Sequence, residues 1–222
     1  MNCFAHGFRF LDRPYFLVGT ALPDWLTMID RKVRVRKKNA REFLELEIED
    51  DRQHEVASGI VQHHEDDHWF HDHRPFVQLN LELAVDLRER LGADAGFRPH
   101  FVAHVVIEML LDAALVTPDR SQLDKYYEQI KTVDPQVIQD TVNAIAVKPT
   151  EKLVPFIDVF LREGYLYDYF EDAGVMYRIN RILKRIGLSE LPESCIEWVA
   201  HTRSRVNQEF NELLSPILSP SS

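Results

Sequence analysis

The chain has 222 residues, a formal net charge of −10 at pH 7 and 45% apolar residues, a length that suits one domain able to bury a sizeable core. The acidic balance excludes general nucleic-acid binding, which needs a basic surface to displace counterions. No run approaches the roughly 18 to 20 apolar residues of a membrane span, no signal-peptide pattern opens the chain, and the two cysteines, Cys3 and Cys195, lack CxxC spacing, so a reducing, cytoplasmic setting is expected.

Glycine is scarce, at eight residues, and long stretches without Gly or Pro favour helices. Residues 1–13 read as a short helix with Phe4, Phe8 and Leu11 on a shared side. Pro14 interrupts it, and the apolar run Tyr15 to Leu22 ends in ALPDW. Pro23 cannot donate a backbone hydrogen bond, so Asp24 is expected at a turn or helix start. There it is either a cap, the commoner role, or a ligand projected from a loop. RKVRVRKK at 31–38 packs six cations into eight residues, which is either a solvated surface or a docking patch for an anionic ligand or acidic partner.

A long helix is expected over 47–71, and within it GIVQHHEDDHWFHDHRPF (59–76) holds five of the ten histidines. On a helix, Val56, Ile60, His63, Asp67, Phe70 and His71 fall in one arc about 100° wide. His63 and Asp67 therefore continue an apolar stripe into the interior, where unpaired polar groups are expensive. A metal ion would compensate them, since imidazole nitrogen and carboxylate oxygen are ligands of Zn, Mn, Fe or, with more oxygens, Mg. His64, Glu65, Asp66 and His68 fall away from the stripe and are expected to be partly solvated.

A helix over 76–91 follows, with Leu79, Leu81, Leu83, Val85 and Leu87 as its apolar surface and Gly92 as its stop. Then comes a loop, LGADAGFRP. The helix over 101–116 is apolar all round except for His104, Glu108 and Asp112, which lie within about 80° of one another. Such a helix is buried, and its polar stripe needs satisfaction from arginines, a solvated cleft or a metal.

Beyond it, helices are expected over 118–131, 134–147, 150–172, 173–188 and 192–214, with Thr117, Asp134 and Ser189 near helix starts. The aromatic residues Phe156 to Tyr177 are expected in the core, and Arg178, Arg181, Lys184 and Arg185 on a solvated basic face. Residues 216–222 read as a disordered tail. Repeats, Gly-rich phosphate loops, GxSxG and HExxH motifs are absent. These elements make an all-α, single-domain multi-helix bundle over 1–215.

MNCFAH, GTALPDW with Asp24, and GIVQHHEDD with His63 and Asp67 resemble the acyl carrier protein phosphodiesterase family of HD-like helical metallohydrolases. The likeness continues in HDHRPF, with His71 and His73 near an acidic and a histidine position of the family, and at His104 and Glu108 on the later helix. It covers the first half of the chain. It implies an HD-domain-like fold, a divalent cation near His6, Asp24, His63 and Asp67, and hydrolysis of the phosphodiester joining 4′-phosphopantetheine to a carrier-protein serine. The family's arginines after its histidine are replaced here by His64 and Glu65, and later aspartates by His104 and Glu108, which points to a softer metal or a second site.

The pool of metal ligands is thus His6, Asp24, His63, Asp67 and His104, with Glu108 and Asp112 completing a binuclear site or orienting histidines. Asp67 is expected to act in catalysis, with His71 or His73 as general acid. The alternatives are a helical metal-binding or interaction protein without turnover, a hydrolase similar to zinc-dependent phospholipase C, and an apolar-ligand binder.

Overall fold

The computed structural model describes residues 1–92 and 96–215, and among these no strand occurs. In chain order the helices are α1 (Cys3–Gly7), α2 (Pro14–Ile29), α3 (Lys37–Leu44), α4 (Asp51–Asp72), α5 (Arg74–Leu91), α6 (Pro99–Val116), α7 (Ser121–Lys131), α8 (Pro135–Ile145), α9 (Leu153–Glu163), α10 (Asp172–Arg185) and α11 (Ile196–Leu213). Where the sequence reading has one domain over 1–215, the described chain groups into two compact units. Unit one holds residues 1–68 and 118–164, and unit two holds residues 69–117 and those from 165 onward. The expected tail at 216–222 and part of the loop before α6 lie outside the described residues.

Several element boundaries differ from the sequence reading. The first segment is a five-residue α1 followed by a 3-10 turn, Phe8–Phe10. α2 runs straight through Pro23. An internal proline removes one hydrogen bond, here to the Gly19 carbonyl four residues back, and the burial of Leu17, Leu22, Trp25 and Leu26 on either side outweighs that loss. Asp24 is therefore a mid-helix residue, neither a cap nor a loop residue. The charged run hides a helix start at Lys37. α9 stops at Gly164, whose left-handed φ of 57° ends it, so 165–170 forms a separate 3-10 turn. Asp134 caps α8, its side chain accepting from Gln136 N, whereas Thr117 closes α6 by donating its hydroxyl to the Ala113 carbonyl. Ser189 lies in an irregular stretch.

In unit one, Trp25 is fully buried with its ring 4.8 Å from Phe160 and 5.5 Å from Phe156, and Phe4 meets Tyr126 edge-on. The backbones of α2 and α4 approach closely. A Cβ on Gly59 would collide with the Phe16 carbonyl oxygen and the Gly19 Cα, and one on Gly19 with the Val56 carbonyl oxygen. Two glycines facing each other let the helix backbones touch.

In unit two, α6 packs against α5, α10, α11 and the 165–170 turn. By length and composition it is apolar enough to cross a membrane, which corrects the expectation that no segment reaches that length. Here its apolar side chains are mostly buried as a core helix. Trp198 of α11 donates its indole N–H to the Leu83 carbonyl of α5 at 3.2 Å. Of the expected apolar surface of α5, Leu79, Leu83 and Leu87 are buried, whereas Leu81 and Val85 are exposed.

Gly59→Ala places a methyl against backbone atoms that cannot swing away. It is expected to lower unfolding free energy by at least about 2–3 kcal/mol in urea titrations. Gly92→Ala, where an added Cβ meets nothing within 4 Å, is expected to cost about 1–3 kcal/mol through backbone conformation alone, because φ 73° and ψ 170° lie in a region nearly confined to glycine.

Candidate metal centre

Because α2 and α4 touch at Gly19 and Gly59, the next turn of each helix brings Thr20 and Asp24 to His63 and Asp67. α1 adds His6. One ligand atom from each of His6, Asp24 and His63 lies within 4.8 Å of the others, and the two imidazole rings are 4.0 Å apart. His6 is fully buried and His63 nearly so.

His63 Nδ1 is 2.8 Å from the Thr20 carbonyl oxygen. A carbonyl only accepts, so Nδ1 carries the hydrogen and donates it. Nε2 then faces Asp67 Oδ2 at 3.4 Å, either as the second N–H of an imidazolium or as a lone pair sharing a cation with the carboxylate. Both alternatives put positive charge at this point. His6 Nε2 stands 3.1 Å from the Met1 carbonyl oxygen and 3.2 Å from Asp67 Oδ1. Its buried Nδ1 has no hydrogen-bond partner, and Asp66 Oδ2 lies 3.6 Å away.

Moving the His6 hydrogen to Nδ1 would turn it toward Asp66 and leave the Nε2 lone pairs of both histidines facing one space. A carboxylate or carbonyl behind the non-ligating nitrogen is how metal-bound histidines are usually held. Asp67 presents a different oxygen to each ring, Oδ1 to His6 Nε2 at 3.2 Å and Oδ2 to His63 Nε2 at 3.4 Å, while the three groups whose ligand atoms converge are His6, Asp24 and His63. The donor set therefore fits a divalent cation.

Charge around the cluster is balanced by neighbours. Burial opposes ionisation of Asp67, yet His6 and His63 hold its carboxyl far below the usual carboxylate range, and the Met1 ammonium donates to its Oδ1 at 2.8 Å. Cys3 Sγ donates to Asp24 Oδ2 at 3.7 Å. Asp66, expected to be partly solvated, is buried. Arg9 grips both its oxygens at 3.0 and 2.8 Å, and Gln62 donates to Oδ1 at 2.9 Å. Burial alone would raise the Asp66 carboxyl, but His6 and Arg9 bring it below its ordinary value.

The cluster opens into a cleft of about 410 Å³ whose walls include Asp24, His63, Asp67, His64, Arg34 and Arg36. His64 Nε2 donates to the Val35 carbonyl at 2.7 Å, pinning the extended segment that carries the arginines, and burial pushes the His64 imidazolium toward its neutral form. Lys37 and Arg41 are both committed to Glu65. Among the described residues, no carboxylate lies within ion-pair range of Arg34 or Arg36, which are exposed.

The remaining expected site residues fall in unit two. Glu108 Oε1 is 3.1 Å from His71 Nε2 and 3.1 Å from His104 Nε2. Burial works against the Glu108 charge, yet its carboxyl is held well below the usual range by neighbouring positive charge, with hydrogen bonds from His104 and His71 adding to the effect. Asp112, one turn further along α6, is buried but is not among the groups whose ligand atoms converge. His73 stands apart from them, its Nε2 donating to the Glu212 carbonyl at 2.9 Å. On the expected basic face, Arg178 is paired with Asp168 and Lys184 with Glu190.

No family model matches the chain, and no curated protein or solved structure is found to be similar to it.

Arg9→Met leaves the buried Asp66 carboxylate without its guanidinium and is expected to cost about 3 kcal/mol. Arg9→Met combined with Asp66→Asn should cost less than Arg9→Met alone, because no unpaired charge is then buried. A double-mutant cycle by chemical denaturation measures both.

Proposed function

We propose that the protein is a metal-dependent phosphoric ester hydrolase whose reaction centre is the cluster of His6, Asp24, His63 and Asp67. The observation that carries this reading is the hydrogen bond from His63 Nδ1 to Thr20. It fixes the tautomer and turns Nε2 toward Asp67 at the floor of a cleft walled by two uncommitted arginines. Held there by the cluster, a divalent cation would lower the pKa of a water toward neutrality and would offset negative charge on phosphoryl oxygens.

The chain's own residues supply the rest. His6, His63, Asp24 and Asp67 hold the ion, while Asp66 and Thr20 keep the two rings oriented. Arg34 and Arg36 take phosphate oxygens, a task suited to the planar, always charged guanidinium. His71 and His73, candidates for the general acid on sequence grounds, belong to unit two and are given no part in this centre.

The substrate follows from the resemblance. MNCFAH, GTALPDW and GIVQHHEDD, the segments similar to HD-like acyl carrier protein phosphodiesterases, contribute His6, Asp24, His63 and Asp67. The substrate is then the phosphodiester between 4′-phosphopantetheine and a carrier-protein serine, with the basic run at 31–38 meeting an acidic carrier.

With Mn²⁺ or Zn²⁺ added, the full chain is expected to hydrolyse bis(4-nitrophenyl) phosphate. Asp67→Ala and Asp24→Asn should reduce kcat/KM by about 100-fold or more, and Arg34→Ala or Arg36→Ala should raise KM about tenfold. Equal inertness of the wild type and Asp67→Ala with every cation would overturn the hydrolase reading. Turnover of the aryl diester without release of 4′-phosphopantetheine from a holo carrier protein would leave the hydrolase class standing and remove the carrier substrate.

A further inference from the structure

Three side chains in unit two have the chemistry of a metal site that the proposed reaction does not use. His104 and Glu108 are one turn apart on α6, and His71 lies in the last turn of α4. One ligand atom from each falls within 4.8 Å of the others. Both histidines present Nε2 to the same Glu108 oxygen at 3.1 Å, near the roughly 3.3 Å expected between ligands of a tetrahedral ion. The rings are 4.8 Å apart, and Phe76 meets His104 edge-on with centroids 5.1 Å apart, bracing it.

Access is open. His71 and His104 keep about a third of their side-chain surface, 35% and 30%, in contact with solvent, while Glu108 keeps 13%. A groove along the first half of α6, walled by Arg98, His100, Phe101 and Val105, ends at His104 and Glu108.

We propose that His71, His104 and Glu108 form a second divalent-metal site of the zinc class, with three protein ligands and the remaining coordination position open toward the α6 groove. Two imidazoles and a single carboxylate favour a borderline ion over Mg²⁺ or Ca²⁺, which prefer oxygen ligands. Three protein ligands with an open fourth position are the pattern of zinc sites that bind a small ligand or water, as opposed to closed structural ones. The two assignments rest on different residues and are tested by different variants.

The test uses the full chain, stripped of metal and titrated with Co²⁺, whose visible absorption reports low-coordinate nitrogen and oxygen sites, and with Zn²⁺ in competition against a chromophoric chelator. The wild type is expected to bind two equivalents. His104→Gln and His71→Asn should each abolish one, weakening Zn²⁺ there by at least about 100-fold, and leave the equivalent that Asp24→Asn removes. Circular dichroism and melting confirm that each variant is folded, and His71, the more exposed ligand, serves as the check if His104→Gln unfolds. Undiminished binding in both folded variants would overturn the second site. A single equivalent lost in Asp24→Asn but kept in His104→Gln would overturn it while sparing the hydrolase centre. A single equivalent lost in His104→Gln and kept in Asp24→Asn would support it and remove the metal from the other centre.

Discussion

Everything at the candidate centre of unit one follows from one steric permission: the backbones of α2 and α4 touch where Gly19 meets Gly59. Helices separated by ordinary side chains run about 8–10 Å apart, and the glycine contact shortens the span from the His63 ring to the facing main chain. With both glycines in place, His63 reaches the Thr20 carbonyl directly. That bond sets which ring nitrogen faces the carboxylates. A missing methyl group on each helix thus decides the chemistry one turn away.

Around that contact the polar groups are arranged in depth. The rings of His6 and His63 lie 4.0 Å apart and tilted by 32°, with the Thr20 carbonyl accepting from His63 and the Asp66 carboxylate 3.6 Å from His6 Nδ1. Arg9 and Gln62 in turn neutralise and anchor Asp66. A buried carboxylate is tolerable only when its partners are held equally well, and Arg9 achieves this with two parallel bonds. The result is a rigid set of donors whose charges are balanced on the protein side and left open on the cleft side.

Much of this could be read from the sequence, and what could not has identifiable causes. The stripe of Val56, Ile60, His63 and Asp67 was legible because period and polarity conflict there, and a conflict of that kind marks a site. The polar stripe of α6 was legible for the same reason. Asp66 was not: it lies off the stripe, and its burial depends on Arg9, a residue 57 positions away. Asp24 was open locally as a ligand only as the less common alternative to a cap, and its resemblance to a family motif favoured the ligand; local rules read the proline before it as a break, whereas the packed side chains around it keep the helix continuous. The free arginines were visible as charge, but only the pairing of Lys37 and Arg41 with Glu65 separates them from the rest of the run. α9 was overextended because a single glycine can end a helix whose apolar pattern carries on beyond it.

Those two arginines have a long-range consequence in a chain of net charge −10. An acidic surface repels anions, and Arg34 and Arg36 set positive charge against that trend in the wall of this cleft. Diffusing anions would be guided there, and charge steering of this kind speeds capture and fades once ions in solution shorten its reach to about 10 Å at 0.1 M. Encounter with the cleft should therefore slow as salt is added even where chemistry at its floor is untouched.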